Sequence, residues 1–257
     1  MITTLFTDEE FAEACSHDVI GSSLYGSWNT RLLLLSPREL EGMFFVQRSD
    51  GKISAAISLD SDTTRLCVAD GAGLDELRAF LNTAVRGRIE CLEEAAAGLA
   101  LNTLGVRYIQ QISLLCGDKS AARETPAVRL EKDELESAYE LLKSAGFGAA
   151  LGDFKGWQDE ALAAMYKGTG ELYGIFEGGE LLATAAVRSR TARAAFLGNV
   201  AVREDRRGTG LGRQMLLGAL TNAGTPLAEL LCEEHNRGFY KKCGFAETGR
   251  VVLANCR

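Results

Sequence analysis

The sequence has little histidine and no long apolar run, and each shortage removes a class of protein. It contains two histidines, His17 and His235, and its seven cysteines never form a C-x-x-C pair. Cys232, His235 and Cys243 are the one group with metal-ligand chemistry, but their spacing fits no zinc pattern and a fourth ligand is missing, so we predict no metal site. Without a run of about 18 apolar residues, we predict no membrane-spanning segment.

An excess of positive charge and an apolar leader are also missing. The net charge is −7, whereas a general nucleic-acid binder usually presents a broad basic face, so we predict no nucleic-acid partner. The first twenty residues carry acids where a signal peptide carries a basic start and an apolar core. We therefore expect a cytoplasmic protein whose cysteines are reduced and buried, in place of a disulfide scaffold.

A weak internal repeat indicates two copies of one α/β unit. In each copy a pair of alternating strands around a glycine turn precedes a strand end, a G-x-G-L turn and an amphipathic helix, and a further strand and helix follow. The paired segments are 44–59 with 172–187, 68–81 with 208–220, and 90–106 with 230–245. Three matches in the same order favour a duplication over chance similarity.

The repeat predicts two domains of mixed α/β architecture. We place a first domain at residues 1–118, a linker at 119–127 and a second domain at 128–257, because the polar segment around Pro126 separates the copies. In the second copy the patterns predict helices at 154–168, 211–222 and 236–243, and strands at 171–177, 181–190, 194–202, 227–234 and 247–254.

The loop REDRRGTGLGRQM (203–215) packs four arginines and three glycines into an acidic chain. It contains no Walker string, and Arg213 stands where a dinucleotide fingerprint needs its third glycine. Glycines let backbone N–H groups approach a ligand closely, and the helix that follows adds a partial positive charge at its N-terminus. The loop is therefore predicted to bind a diphosphate, with Arg203, Arg206, Arg207 and Arg213 adding positive charge.

Two strings in the second copy resemble signatures of the GNAT N-acetyltransferase superfamily. Residues 207–212, RGTGLG, resemble its R/Q-x-x-G-x-G/A signature, and FYKKCGF (239–245) resembles its second signature, an aromatic residue before a Gly-Phe pair. The resemblance implies an α/β fold with two GNAT-like acyl-CoA N-acyltransferase domains in tandem. It also implies acetyl-CoA as co-substrate, with the motifs carried by the C-terminal copy.

The resemblance also implies a set of site residues. Tyr240 would protonate the departing coenzyme A thiolate, a role suited to a neutral donor, although a half-buried core tyrosine is the alternative. The Asn that family members carry seven residues earlier is Glu233 here, so Asn236 either takes over that contact or the contact is absent. The cofactor-binding residues implied are Asn199, Val200, Ala201, Val202, Arg207, Gly208, Thr209, Gly210, Leu211, Gly212, Arg213, Asn236 and Phe239.

The first copy lacks these functional residues. In the alignment of the two copies, Ala100 stands at the position of Tyr240 and Ala96 at that of Asn236. The basic stretch REDRR is reduced to Ala69 and Asp70. We expect a degenerate domain that covers the core of the active copy or forms a wall of the acceptor site.

The sequence thus predicts an N-acetyltransferase in which a primary amine attacks acetyl-CoA directly in a ternary complex. The alternative is a non-catalytic acyl-CoA binding or sensing module, which would not need Tyr240. We expect a small-molecule or peptide amine as acceptor, and neither its identity nor the oligomeric state can be read from the sequence. The candidates for a general base are Glu177, Glu233 and Glu234, and those for the acceptor pocket are Trp28, Trp157 and Tyr166, each of which has an ordinary structural alternative.

Overall fold

The computed structural model describes residues 1–5, 43–59, 63–85, 87–113, 126–190 and 194–255. The chain divides into two compact units. Unit 1 comprises Met1–Gln110, Leu231–Gly238 and Glu247–Arg257, and unit 2 comprises Gln111–Leu230 and Phe239–Ala246. The predicted linker lies outside the described residues except for its last two, and the predicted domain boundaries stay a prediction.

The described elements follow the predicted repeat. The first copy contains β1 (Ile2–Thr4), β2 (Phe44–Ser49), β3 (Lys52–Leu59), β4 (Thr63–Val68), α1 (Leu74–Ala84), β5 (Arg88–Leu92), α2 (Glu93–Gly98) and β6 (Asn102–Ser113). The second contains β7 (Val128–Arg129), α3 (Leu135–Leu142), α4 (Gly148–Leu151), α5 (Phe154–Tyr166), β8 (Glu171–Glu177), β9 (Glu180–Arg190), β10 (Ala194–Val202), α6 (Leu211–Ala223), β11 (Leu227–Cys232), α7 (Arg237–Lys242) and β12 (Ala246–Asn255).

Unit 1 is built on a mixed sheet. Strands β1 to β4 pair antiparallel in chain order, and β4 pairs parallel with β5. Helix α1 begins with Asp75 and Glu76, which favour a helix N-terminus, and it buries Leu77 and Leu81 one turn apart. These leucines pack in one hydrophobic cluster with Ile57 and residues of β4, β5 and α2.

The last strand of the chain belongs to unit 1. Strand β12 pairs antiparallel with β5, from Val251 opposite Leu92 to Ala254 opposite Ile89. Val252 and Ala254 are fully buried in the same cluster as Leu77 and Leu81. The sequence predicts the strand correctly, but periodicity alone does not say which neighbour it pairs with. Residues at the C-terminus therefore complete the core that residues 44–99 begin.

Unit 2 repeats the architecture with longer central strands. Strands β7, β8, β9 and β10 pair antiparallel, and β10 pairs parallel with β11. Its hydrophobic core joins α3 and α5 to the sheet through Leu135, Tyr139, Trp157, Leu181 and Ala201. The predicted strands 171–177 and 194–202 are confirmed to the residue, and the predicted helix 211–222 is α6.

We predict that a cavity in β12 destabilises unit 1. Val252→Ala removes two buried methyl groups beside Leu77 and Leu81, so the free energy of unfolding should fall by about 2 kcal/mol. Hydrogen exchange should accelerate in α1 as well as in β12. Thr248→Ala, at an exposed position of the same strand, is the matched control and should change neither. Unchanged exchange in α1 would show that β12 does not support that core.

Candidate functional site

Strands β10 and β11 begin side by side and then stop pairing. Their parallel ladder joins Ala194 to Leu227, Ala195 to Ala228 and Phe196 to Glu229. No further pair is found among the described residues, although β10 continues to Val202. A parallel ladder that ends inside a sheet leaves the next backbone groups of β10 without a strand partner on that side. The result is a gap between two strands of unit 2.

A bulge interrupts the other edge of β10 at the same level. The register against β9 shifts between Gly198, opposite Ala186, and Ala201, opposite Thr184, so β10 has one extra residue. Asn199, inside this bulge, has φ 53°, a left-handed conformation that a residue with a side chain rarely adopts. Such strain is held in place by the surrounding structure and often marks a functional position. The bulge changes the backbone direction at residues 199 and 200, which the family resemblance implies are cofactor-binding residues.

The loop after β10 presents a row of backbone N–H groups. Gly208 and Gly210 have φ of 80° and 87°, and a Cβ at either position would meet no atom within 4 Å. Gly210 is the N-cap of α6 and has no side chain that could accept a hydrogen bond from the first helical turn. Within the described ranges, no N–H group from Gly208 to Gly212 donates a hydrogen bond to another residue. Five amide donors beside a helix N-terminus form an anion-binding site.

The four arginines of the loop divide into two pairs with different partners. Arg203 donates to Asp205 at 2.6 Å and to Glu180 at 2.6 Å, and Arg206 donates to Glu177. These bonds attach the loop to the β8–β9 hairpin, and Arg203 holds the pKa of Asp205 below its usual value. The predicted contribution of Arg203 and Arg206 to ligand binding is therefore offset by carboxylates.

The other two arginines keep their charge available. Arg207 donates only to the carbonyl oxygen of Val202, at 3.3 Å, and Arg213 lies exposed in the first turn of α6. Neither has a carboxylate partner in the part of the chain that the structure describes. Free guanidinium groups next to free backbone donors suit a phosphate ligand.

Aromatic side chains pack next to the end of the glycine loop. A Cβ at Gly212 would lie 3.3 Å from Val202 and 3.5 Å from the Phe239 ring, so a side chain there would crowd this contact. The rings of Phe239 and Tyr240 lie 5.0 Å apart, and Tyr240 packs edge-to-face on Phe245 at 5.8 Å. Phe245 is buried and donates its N–H to the Tyr240 carbonyl oxygen. Tyr240 is thus held on two sides and remains half-buried.

Comparison with known proteins identifies this arrangement. The family model of the acetyltransferase (GNAT) domain matches residues 168–247, which include the bulge, the loop and Tyr240. The chain contains a GNAT acetyltransferase domain. This family generally uses acetyl-CoA as its acyl donor. No curated protein sequence matches the chain.

Solved structures extend the likeness to the whole chain. A tandem GNAT protein from the clavulanic acid biosynthesis pathway covers 99% of this chain and 97% of its own, with TM-score 0.62 and 16% identity. A GCN5-related N-acetyltransferase from Sphaerobacter thermophilus covers 92% and 91%, with TM-score 0.61 and 15% identity. One from Kribbella flavida covers 79% and 86%, with TM-score 0.57 and 16% identity. At these identities the likeness shows the fold, two GNAT-like domains in tandem.

Asn236 lies within the residues that the family model matches, but it falls in a different compact unit from the other predicted site residues. It belongs to unit 1, and its side-chain amide contacts the His235 ring at 3.1 Å. Its backbone N–H donates to the carbonyl oxygen of Glu233 at 3.0 Å. The remaining predicted residues, Asn199–Val202, Arg207–Arg213, Phe239 and Tyr240, all belong to unit 2. The role of Asn236 stays a prediction.

The three carboxylates considered as bases lie at the surface. Glu177 is bonded to Arg206, and Glu233 is exposed without a contact from another side chain in the described ranges. Glu234 pairs with Arg237 at 2.6 Å, and hydrogen bonds from Tyr108 and then Arg237 lower the pKa of its carboxyl. A lowered pKa makes Glu234 a weaker proton acceptor.

Sequence reasoning missed a fourth carboxylate. Glu229 is 3% exposed and lies at the last pair of the β10–β11 ladder. Burial raises the pKa of its carboxyl to about 7, although a hydrogen bond from Gln111 partly opposes this. The signal in the sequence was a single acid inside the apolar strand LAELLC, since a charged residue is rarely buried without a reason.

The aromatic candidates for an acceptor pocket differ in where they lie. Trp157 is buried in the core of unit 2, where its ring lies 5.6 Å from that of Tyr139. Tyr166 is 94% exposed at the end of α5, and Trp28 lies outside the described residues. Trp157 therefore has the structural role that its helical spacing also allowed.

In the first copy the corresponding N-cap glycine has an internal side-chain partner. Gly73, the N-cap of α1, donates its N–H to the side-chain oxygen of Gln47 at 2.9 Å and accepts from the Gln47 amide at 3.0 Å. The third helical residue is Glu76, where the second copy has Arg213. Strand β4 also pairs with β3 without a register shift, so this copy lacks the bulge. These differences agree with the predicted loss of function in the first copy.

Among the residues described, no group of three or more His, Cys, Asp and Glu side chains is arranged to hold a metal ion. None of the helices in the described ranges has the length and apolar character needed to cross a membrane.

We predict that the loop requires glycine at position 210 for its conformation. Gly210→Ala places a Cβ at φ 87°, which should cost about 1–2 kcal/mol of folding free energy although the space is open. Gly238→Ala, in α7 where a Cβ also meets nothing within 4 Å, should be neutral or stabilising because alanine favours helices. Urea denaturation of both variants checks the contrast. Equal effects would show that the left-handed turn is not constrained.

Proposed function

We propose that the protein is an N-acetyltransferase that transfers the acetyl group of acetyl-CoA to a primary amine. The observation that carries this proposal is the row of five N–H groups at residues 208–212, which lies between Arg207 and Arg213, two arginines without a carboxylate partner among the described residues. The diphosphate of a coenzyme A thioester offers the negative charge and the acceptor oxygens that such a row lacks.

The gap between β10 and β11 would take the pantetheine arm. That arm contains two amide groups, and the edge of β10 from Asn199 to Val202 carries backbone groups that β11 does not pair. The bulge at Asn199 points a backbone N–H in a direction different from that of the N–H groups in a regular ladder. A donor fixed in that way can polarise a thioester carbonyl, because it is oriented before the reaction begins.

Tyr240 would complete the chemistry. Its ring is held by Phe239 and Phe245, so its hydroxyl has a defined position. A neutral phenol can donate a proton to a departing thiolate at neutral pH. The amine attacks directly while both substrates are bound, and Tyr240 protonates the sulfur as the C–S bond breaks. The proposed acceptor is a small-molecule or peptide amine.

The first domain would hold no acetyl-CoA. Gln47 already occupies the N–H and carbonyl groups of Gly73, and Glu76 adds a negative charge in the first turn of α1. An anion approaching this helix N-terminus would have to displace an internal partner and would meet a carboxylate. We therefore assign one acetyl-CoA site to each chain, in the second domain.

Binding of acetyl-CoA is tested by calorimetric titration. We expect one site per chain and a loss of affinity of at least about tenfold in Arg207→Ala, because a charge-assisted hydrogen bond contributes about 1.5–3 kcal/mol. Lys132→Ala removes one exposed positive charge from the same unit outside the loop, and it should bind like the wild type. A wild-type protein that binds neither acetyl-CoA nor coenzyme A would overturn the proposal.

Transfer is tested with Tyr240→Phe. Release of free thiol from acetyl-CoA should be measured with spermidine, kanamycin and a lysine-containing peptide as amine probes. We expect kcat to fall about 100-fold, the lower range for loss of a general acid, with unchanged affinity for acetyl-CoA. Tyr139→Phe removes a different hydroxyl, which donates to the Gly152 carbonyl oxygen at 2.7 Å, and should lower stability without lowering kcat.

These results separate an enzyme from a binding module. If Tyr240→Phe kept the wild-type kcat, Tyr240 would not be the group that protonates the departing thiolate. Tight binding of acetyl-CoA without thiol release in the presence of any of these amines would favour a non-catalytic acyl-CoA sensor.

A further inference from the structure

Glu229 is a buried acid at the inner end of the gap. It lies opposite Phe196 in the last pair that β10 and β11 form, so the strands diverge immediately beyond it. The bulged residue Asn199 lies three residues further along β10, a distance of about 10 Å at the usual rise of a strand. Bridging water would therefore have to carry a proton between Glu229 and the proposed thioester position.

Among the described residues, no cation pairs with Glu229. Its partner is Gln111 of β6, whose side-chain amide donates to the carboxylate. Strand β10 carries no ionisable side chain, β11 adds only the thiol of Cys232, and the unit 2 end of β6, Gln111–Ser113, adds none. The one charged residue of α6, Arg213, is exposed at the first turn. Burial without a counter-charge raises the pKa of Glu229 to about 7.

The first copy contains a matched acid with the opposite environment. Glu90 of β5 lies opposite Arg65 in the third pair of the β4–β5 ladder, as Glu229 lies opposite Phe196 in the third pair of the β10–β11 ladder. Arg65 and Arg107 approach the Glu90 carboxylate at 3.3 Å and 3.1 Å. The first copy therefore places two arginines beside its acid, whereas the acid of the second copy is bonded to an amide.

We propose that Glu229 is the general base of the transfer reaction, taking a proton from the acceptor amine through a bridging water. The proposal rests on the proposed acetyltransferase function. Glu177 and Glu234 are held by arginines, and Glu233 is exposed, so none of the earlier candidates combines burial with freedom from a cation.

The proton transfers balance as follows. The acceptor enters as an ammonium group and loses two protons while its nitrogen forms a bond to the carbonyl carbon and the C–S bond breaks. Glu229 receives the first proton, which leaves the nitrogen lone pair free to attack. Tyr240 gives its proton to sulfur and regains one from the same nitrogen. The products are the amide, the free thiol of coenzyme A and a protonated Glu229, which then releases its proton to solvent.

The kinetic test compares Glu229→Gln with Glu233→Gln. For the wild type, kcat/KM with the most active amine of the panel should rise with pH through about 7, as Glu229 ionises. Glu229→Gln should lower kcat/KM about 100-fold and lose that rise, because glutamine cannot accept the proton. Glu233→Gln removes an exposed carboxylate four residues further along the chain. It should keep both the wild-type kcat/KM and its increase with pH.

A second test measures ionisation without activity. A buried acid with a raised pKa stays protonated in the folded protein, so wild-type stability should fall as pH rises from about 4.5 to about 7 and then level off. The Tm of Glu229→Gln relative to the wild type should therefore increase over that range. The relative Tm of Glu233→Gln should stay constant. A flat difference for Glu229→Gln would overturn the proposal.

The outcomes distinguish the proposed role of Glu229 from the proposed acetyltransferase function. A wild type that binds no acetyl-CoA overturns the proposed function and the base together. A wild type that acetylates an amine, with Glu229→Gln retaining the same pH profile, overturns the base alone. Loss of the pH-dependent rise in Glu229→Gln, with unchanged affinity for acetyl-CoA, supports Glu229 as the base.

Discussion

The early end of the ladder between β10 and β11 is the constraint on which the rest of the site depends. Two neighbouring parallel strands normally share hydrogen bonds along their common length, and here they share three residue pairs. Every backbone group beyond Phe196 on that edge then needs another partner or solvent. The bulge at Asn199 fixes the direction of some of these groups, at the cost of a left-handed residue. A gap of this kind suits a ligand that is itself an extended chain with amide groups.

The basic loop shows that charge in a sequence is not the same as charge available to a ligand. Arg203 and Arg206 form bonds with three carboxylates, which hold the loop against the β8–β9 hairpin. That attachment orders the loop, while among the described residues Arg207 and Arg213 have no carboxylate partner and the N–H groups from Gly208 to Gly212 have no internal acceptor. Ordering before binding reduces the entropy that a ligand must offset. Two arginines therefore position the loop, while the other two are left to interact with phosphate.

The sequence predicts the local features of this protein and misses those that depend on distant partners. The strands and helices of the second copy, and the glycine turn before α6, follow from periodicity and short motifs, and the structure confirms them. The pairing of β12 with β5 joins residues 159 to 165 positions apart in sequence, from Val251–Leu92 to Ala254–Ile89, and no local pattern contains that information. The two roles of the four arginines were hidden for the same reason, because Glu177 and Glu180 lie in a different hairpin.

The two copies show how one scaffold holds opposite electrostatic solutions. In the first copy Gln47 bonds to Gly73, the N-cap of α1, and Arg65 and Arg107 form ion pairs with Glu90. In the second copy, among the described residues, the N-cap Gly210 has no such partner and the side-chain partner of Glu229 is an amide. Unsatisfied donors and an unpaired buried acid both lower stability, so a copy selected for folding alone would be expected to remove them. Their retention together in the second copy, around one gap, is most simply explained if a ligand supplies the missing anion and a reaction uses the free acid.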